Sequence, residues 1–165
     1  MLQGVSGLAL GVASGAVPVW RTAPEPGRSV APGLDIRPRD AWAASPPTGA
    51  LEVEEPGDVR FLLVHHSATG NRYSPESVPG TLREFYRLHT SDKGWSDIAY
   101  NFLVDQHGGV WEGRSGSIDG PVKGDATGGS QGFALLCCFI GNHQEAPPTE
   151  AAETSMIRLL AWLAD

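Results

Sequence analysis

Between Val59 and His66 the chain is almost continuously apolar, with Phe61-Leu62-Leu63-Val64 running into the pair His65-His66. A run of strand length without alternation predicts a strand buried in the middle of a sheet. From Val78 the period changes. Val78, Leu82, Phe85 and His89 recur at helical spacing, which predicts a helix from the late 70s to about Thr90. Tyr100 to Val104 predicts a further strand, on which alternation would give Ile98, Tyr100 and Phe102 one common face. Gln106-His107-Gly108-Gly109 supplies a hairpin turn into Val110-Trp111-Glu112. Gly113 to Gly132 reads as a long loop dense in Gly and Ser, and loops of that length in compact domains are often functional. Phe133 to Ile140 returns as a buried strand. After Pro147-Pro148, Thr149 can cap a helix with Glu150 and Glu153 in its first turn and Met156, Leu159, Leu160 and Leu163 on its apolar face. That pattern runs to Asp165 without a Gly stop, so the apolar face is expected to be poorly covered.

Composition narrows the class. A chain of 165 residues suits one domain, and 41% hydrophobic with 19% charged residues is ordinary for a globular protein. The net charge of -7 argues against nucleic acid as a partner, because no Lys/Arg excess neutralises phosphate. Met1 to Trp20 is small and apolar, with no Lys or Arg before Arg21. Leu8 to Val12 supplies a short apolar middle and Ala13-Ser14-Gly15-Ala16 a cleavage point, as in a secretory signal clipped at its front; an uncleaved apolar leader is the alternative. No transmembrane span is expected, since Gly and Ser interrupt a run that would need about 20 apolar residues. Residues 21–33, rich in Pro and Gly, read as a linker, so the expected organisation is a leader and linker over 1–33 and a folded domain over 34–165.

Candidate chemistry gathers at the histidine pair. A histidine closing an apolar strand can serve as a metal ligand or a base, although alone it is more often structural. Adjacent Cys137 and Cys138 point to opposite faces of a strand, cannot jointly grip a metal, and read as core. Tyr100 fits a core role or a catalytic one equally well on alternation alone. His89 and Trp95 suit either packing at a helix end or contact with sugar rings and amides. Glu112 and Arg114 can form a structural ion pair beside the hairpin, and neither reads as catalytic. A serine hydrolase built on Ser67 and His66 lacks the Gly-x-Ser-x-Gly elbow and is set aside.

Taken in order, Arg39-x-x-Trp42, Val64-His65-His66-Ser67, Gly94-Trp95-Ser96-Asp97-Ile98-Ala99-Tyr100-Asn101-Phe102 and Glu112-Gly113-Arg114 resemble the peptidoglycan recognition protein and type 2 N-acetylmuramoyl-L-alanine amidase family. The resemblance covers about Arg37 to Asp165. It implies an α/β fold, a central mixed β-sheet flanked by helices, and a secreted or cell-wall-associated monomer whose partner is peptidoglycan. It further implies a zinc cofactor with His65 as metal ligand, the remaining ligands lying beyond Asp165. Tyr100 would be the catalytic donor to the developing oxyanion, and His89 and Trp95 would bind substrate. The reaction would be hydrolysis of the amide between the N-acetylmuramoyl lactyl group and L-alanine, with a non-catalytic peptidoglycan-binding module as the alternative. Gly124-Asp125-Ala126 departs from the Gly-Ala-His usual in that family, which bears on substrate contacts. With one ligand of three, this chain is expected to bind zinc weakly and to be inactive.

Overall fold

The computed structural model describes residues 33–43, 45–126 and 133–165. The leader and nearly all of the linker, and the Gly-rich stretch 127–132, lie outside the described residues. Strands β1 (Ile36–Arg37), β2 (Phe61–His66), β3 (Phe102–Val104), β4 (Val110–Glu112) and β5 (Ala134–Phe139) form one sheet in the order β1-β4-β3-β5-β2. Among the described strands of this sheet the β3–β4 hairpin alone is antiparallel; β1 runs parallel to β4, and β5 parallel to both β3 and β2. Helix α1 (Val78–Arg87) and helix α2 (Glu150–Ala164) cover opposite faces. The expected mixed sheet flanked by helices is what the chain adopts.

Each face has its own core. Leu82, Phe85, Ile98, Leu103, Trp111 and Cys138 pack with α1. Phe102, Val104, Val110 and Cys137 pack with Met156, Leu159 and Trp162 of α2. The cysteines therefore do divide between the two faces, both buried and free. Thr149 caps α2 as expected, its hydroxyl accepting from Ala152 N–H at 3.1 Å. The face of α2 is not poorly covered: Met156, Leu159 and Trp162 are buried, and Leu160 and Leu163 are partly buried against them. The strands β3, β4 and β5 supply the cover.

Three further expectations need correction. β2 is an edge strand among the described residues, not a central one, because β5 occupies the place between β3 and β2. Its Phe61 and Val64 are 58% and 47% exposed. The helix over the 80s is regular only to Arg87; Leu88–Asp92 continues it as a π-helical turn. Tyr100 lies outside β3, and it packs with the α1 core while Phe102 packs with the α2 core. Asn101 causes the break. Its side chain donates to Ser117 Oγ and Val122 O and accepts from Leu136 N–H, and these bonds interrupt the regular ladder before Phe102.

Candidate functional site

β2 ends on the pair that alternation separates. His65 pairs in register with Cys138 and faces the α1 side, while His66 pairs with Phe139 and turns to the α2 side. His65 comes within 5.8 Å of the Tyr100 ring, centroid to centroid. The π-helical turn carries His89 inward, 8% exposed, where its ring lies 5.9 Å from Tyr100 and 5.0 Å from Trp95. A π turn inserts an extra residue into the helical ladder and so re-aims the side chains after it, a device frequent at functional sites. Gly94, at φ +71°, then reverses the chain so that Trp95 N–H bonds His89 O at 3.0 Å. The result is a continuous row, Trp95–His89–Tyr100–His65, along the ends of α1 and β2. All four residues singled out by sequence are brought together.

Hydrogen bonding sorts the histidines. His66 Nδ1 accepts from His143 N–H at 2.9 Å, so in the neutral ring Nε2 carries the proton and has no lone pair to offer a metal. His89 Nδ1 accepts from Ala99 N–H at 3.1 Å, with the same consequence. His107 Nε2 and His143 Nδ1 face the carbonyls of Tyr73 and Ala146. Among the described residues, His65 alone has neither ring nitrogen committed to a hydrogen bond. Partial burial first, and then the neighbouring His66, hold its pKa below the ordinary value, which favours the neutral ring a metal or a donor group requires.

Burial dominates the other two titratable members of the row. It lowers His89 to about 4, with Lys93 assisting, so that His89 is a neutral imidazole presenting Nε2–H. It raises Tyr100 well above the usual phenol range, with Cys138 adding to the effect, so that the hydroxyl stays protonated. The row thus consists of neutral donors and aromatic faces. Ser67 is committed to structure: its Oγ accepts from Gly141 N–H at 2.9 Å and lies 2.7 Å from Thr69 Oγ1. No Ser67–His66 bond exists among the described residues, which removes the serine hydrolase.

Around the row stand groups that sequence reasoning missed. Buried Asp97 pairs with Arg39 at 2.8 Å and accepts from Ile98 and Ser115 N–H, bracing the segment that leads to Tyr100. Arg39 in turn lies over Trp42 and Tyr86. The motif positions Arg39 and Asp97 are each visible in the sequence, but their long-range pairing had no local signal. The Glu112–Arg114 pair that the sequence allows is not formed. Arg114 pairs with Asp125 at 2.6 Å, and Glu112 accepts from the backbone N–H of Arg39 and Ile118. Asp125 neutralises Arg114 and with it walls a cavity of about 260 Å³ that adjoins Trp95. A larger cavity, about 500 Å³, lies at the opposite ends of β2 and β5, against Trp162 and Leu163, away from this chemistry. The smaller space shares Trp95 with the row and the larger one shares none of its residues, so the smaller space is the better functional candidate.

Both the sequence and the fold have relatives among known proteins. The profile of the family described as N-acetylmuramoyl-L-alanine amidase matches residues 55–165. The chain is 33% identical to peptidoglycan recognition protein 1 of Mus musculus over 126 residues, 76% of this chain and 66% of that protein. It is 33% identical over 120 residues to an N-acetylmuramoyl-L-alanine amidase of Sus scrofa, of which it covers 19%. Among solved structures, peptidoglycan recognition protein-LE in complex with tracheal cytotoxin, a monomeric diaminopimelic acid-type peptidoglycan, superposes with a TM-score of 0.69 at 31% identity, covering 76% of this chain and 71% of that one. The chain thus spans just under two thirds of the mouse protein's length.

Proposed function

The chain belongs to the peptidoglycan recognition protein and N-acetylmuramoyl-L-alanine amidase family, and from that premise we propose that it binds the muramyl-peptide unit of peptidoglycan along the row Trp95–His89–Tyr100–His65. The observation that carries this reading is the hydrogen bond that His89 Nδ1 accepts from Ala99 N–H, in a ring lying between Trp95 and Tyr100. With Nδ1 held by Ala99 N–H, its Nε2–H is a fixed donor beside two aromatic rings. Amide carbonyls take such donors, and sugar rings pack on aromatic faces. A chain of net charge -7 gains nothing from charge attraction to a carboxylate-bearing wall, so uncharged contacts of this kind must supply affinity. The relative in complex with a peptidoglycan fragment supports the same ligand class. The reading makes the protein a secreted or cell-wall-associated monomer with residues 34–165 as its binding unit; among the described residues no helix is long and apolar enough to cross a membrane.

The experiment is calorimetric titration with a soluble muramyl tripeptide. Wild type binds, and His89→Ala or Trp95→Ala weakens binding at least about tenfold, the loss expected when a buried hydrogen bond or an aromatic contact is removed. Tyr100→Phe, which removes one hydroxyl and keeps the ring, weakens it about threefold to tenfold. Affinity unchanged in all of these variants would take the row out of recognition.

A second reading, hydrolysis of the lactyl–L-alanine amide, is favoured by the uncommitted nitrogens of His65 next to the Tyr100 phenol. Hydrolytic zinc sites use three protein ligands. Among the described residues no group of three His, Cys, Asp or Glu side chains can hold a metal ion, so these residues do not fit zinc by themselves. We therefore expect this chain to bind zinc weakly and to leave the amide intact. Tight, stoichiometric zinc uptake in a titration would contradict that and turn the reading towards the enzyme.

A further inference from the structure

The peptide unit between Ile98 and Ala99 is gripped from both sides. Its oxygen, Ile98 O, accepts from Arg114 Nη1 at 3.1 Å, and its N–H, on Ala99, donates to His89 Nδ1 at 3.1 Å. Oxygen and hydrogen of a trans peptide point in opposite directions, so a donor held on the oxygen aims the hydrogen at the group across from it. Arg114 is buried, and the same Nη1 meets Asp125 Oδ2 at 2.6 Å. Asp125 is anchored in turn, its backbone N–H donating to Ala99 O at 3.2 Å. Gly124 permits that approach, because a Cβ there would come within 2.8 Å of Ala99 O. These contacts form one line: Asp125, Arg114, the Ile98–Ala99 peptide and the imidazole of His89.

We propose that Arg114 is the positioning residue of His89, acting through the Ile98–Ala99 peptide to hold the imidazole in the tautomer that presents Nε2–H to the ligand. The inference rests on the muramyl-peptide reading. A neutral imidazole can carry its proton on either nitrogen, so a single tautomer needs a fixed partner at the other one. A cationic donor on the carbonyl polarises the amide and strengthens the bond that its N–H makes. Asp125 keeps the guanidinium in place for that task. The backbone N–H of Arg114 also donates to Tyr100 O at 2.9 Å, so the same residue braces the chain at the next member of the row.

The test is nitrogen NMR of the His89 ring, with affinity for the muramyl tripeptide as second readout. In wild type a nitrogen–nitrogen coupling crosses the Ala99 N–H···Nδ1 bond, and His89 is a single Nε2–H tautomer at neutral pH. Absence of the coupling, or a proton on Nδ1, overturns the proposal without any variant. Arg114→Met combined with Asp125→Ala removes both charges and leaves neither unpaired. With the amide shifts of the α2 face unchanged, this variant shows mixed His89 tautomers and binds about threefold to tenfold more weakly. In a His89→Ala background the same two changes cost less than about twofold. Arg114→Lys, whose one ammonium can replace the one nitrogen that makes both contacts, restores the single tautomer. A combined variant that keeps one tautomer, or a lysine variant with mixed tautomers, overturns the proposal. So do equal losses of affinity with and without His89, which would place Arg114 against the ligand itself. Wild type that fails to bind the tripeptide, with the tautomer still changing in the combined variant, counts against the peptidoglycan reading and leaves the positioning of His89 by Arg114 standing.

Discussion

A neutral histidine inside a fold ties stability to pH, and His89 is the clearest case here. Burial holds its folded-state pKa at about 4, below the ordinary value of 6.5. Between those values the unfolded chain takes up a proton that the folded chain refuses, so folding stability rises with pH across that window. Its contribution is complete above pH 6.5 and is lost progressively as pH falls towards 4. The expected cost by about pH 4 is a few kcal/mol. Urea unfolding of wild type and His89→Gln from about pH 7 to pH 4 checks this: the glutamine variant, which cannot be protonated, shows the shallower pH dependence. Parallel curves for the two proteins would mean that His89 carries its proton in the folded state, and the fixed Nε2–H donor would no longer follow. Among single residues, His65 and Tyr100 were legible from motif order, and so was the separation of His66 from them, which follows from strand alternation. The commitments that decide which histidine is available were not legible. They depend on backbone donors at Ala99 and His143, 10 and 77 residues away in the chain.

At the scale of elements, hydrophobic pattern specified what would form better than where each element would sit. The apolar run of β2 and that of β5 look alike in sequence, yet β5 lies inside the sheet and β2 at its edge among the described residues. Periodicity cannot rank two apolar runs; the order comes from which strand the hairpin β3–β4 can pair with. Likewise, Val78, Leu82, Phe85 and His89 announced the buried face of α1, but the π turn that seats His89 leaves the same spacing as a continuing helix. Asn101 is the third instance: one polar residue inside Tyr-Asn-Phe-Leu-Val ends the alternation, and only its three buried partners reveal why. The edge position of β2 has a practical consequence. Phe61–His66 contains no Pro, no Lys and no acidic side chain, so it lacks the usual protection against pairing with another chain. Beyond the proposed monomer, any association at high concentration is expected to run through this edge, and Val64→Lys, at an exposed position beside His65, should lower it in sedimentation velocity runs without a large change in thermal stability. Self-association that persists undiminished would show that contacts elsewhere drive it.

For the molecule as a whole, the sheet serves as a platform whose two faces do different work. The α2 face is a closed core, and Trp162, absent from the sequence-based apolar face of α2, completes it against Phe102. The α1 face is closed except at its edge, where the half-buried Tyr100 and His65 meet the π turn. The fold class, the two helices and this row were readable from the order of the motifs. The pairing of Arg114 with Asp125 and of Asp97 with Arg39 was not, since each joins segments with no local periodicity in common. The central claim, that this row and its adjoining space receive the muramyl peptide, is tested most directly by mapping backbone amide NMR shifts during titration with muramyl tripeptide. The account predicts saturable changes at residues 65–67, 88–101 and 123–125, with little change around Trp162 and Leu163. Changes confined to the 500 Å³ cavity at Phe61, Leu135 and Trp162, or no saturable change at all, would contradict it.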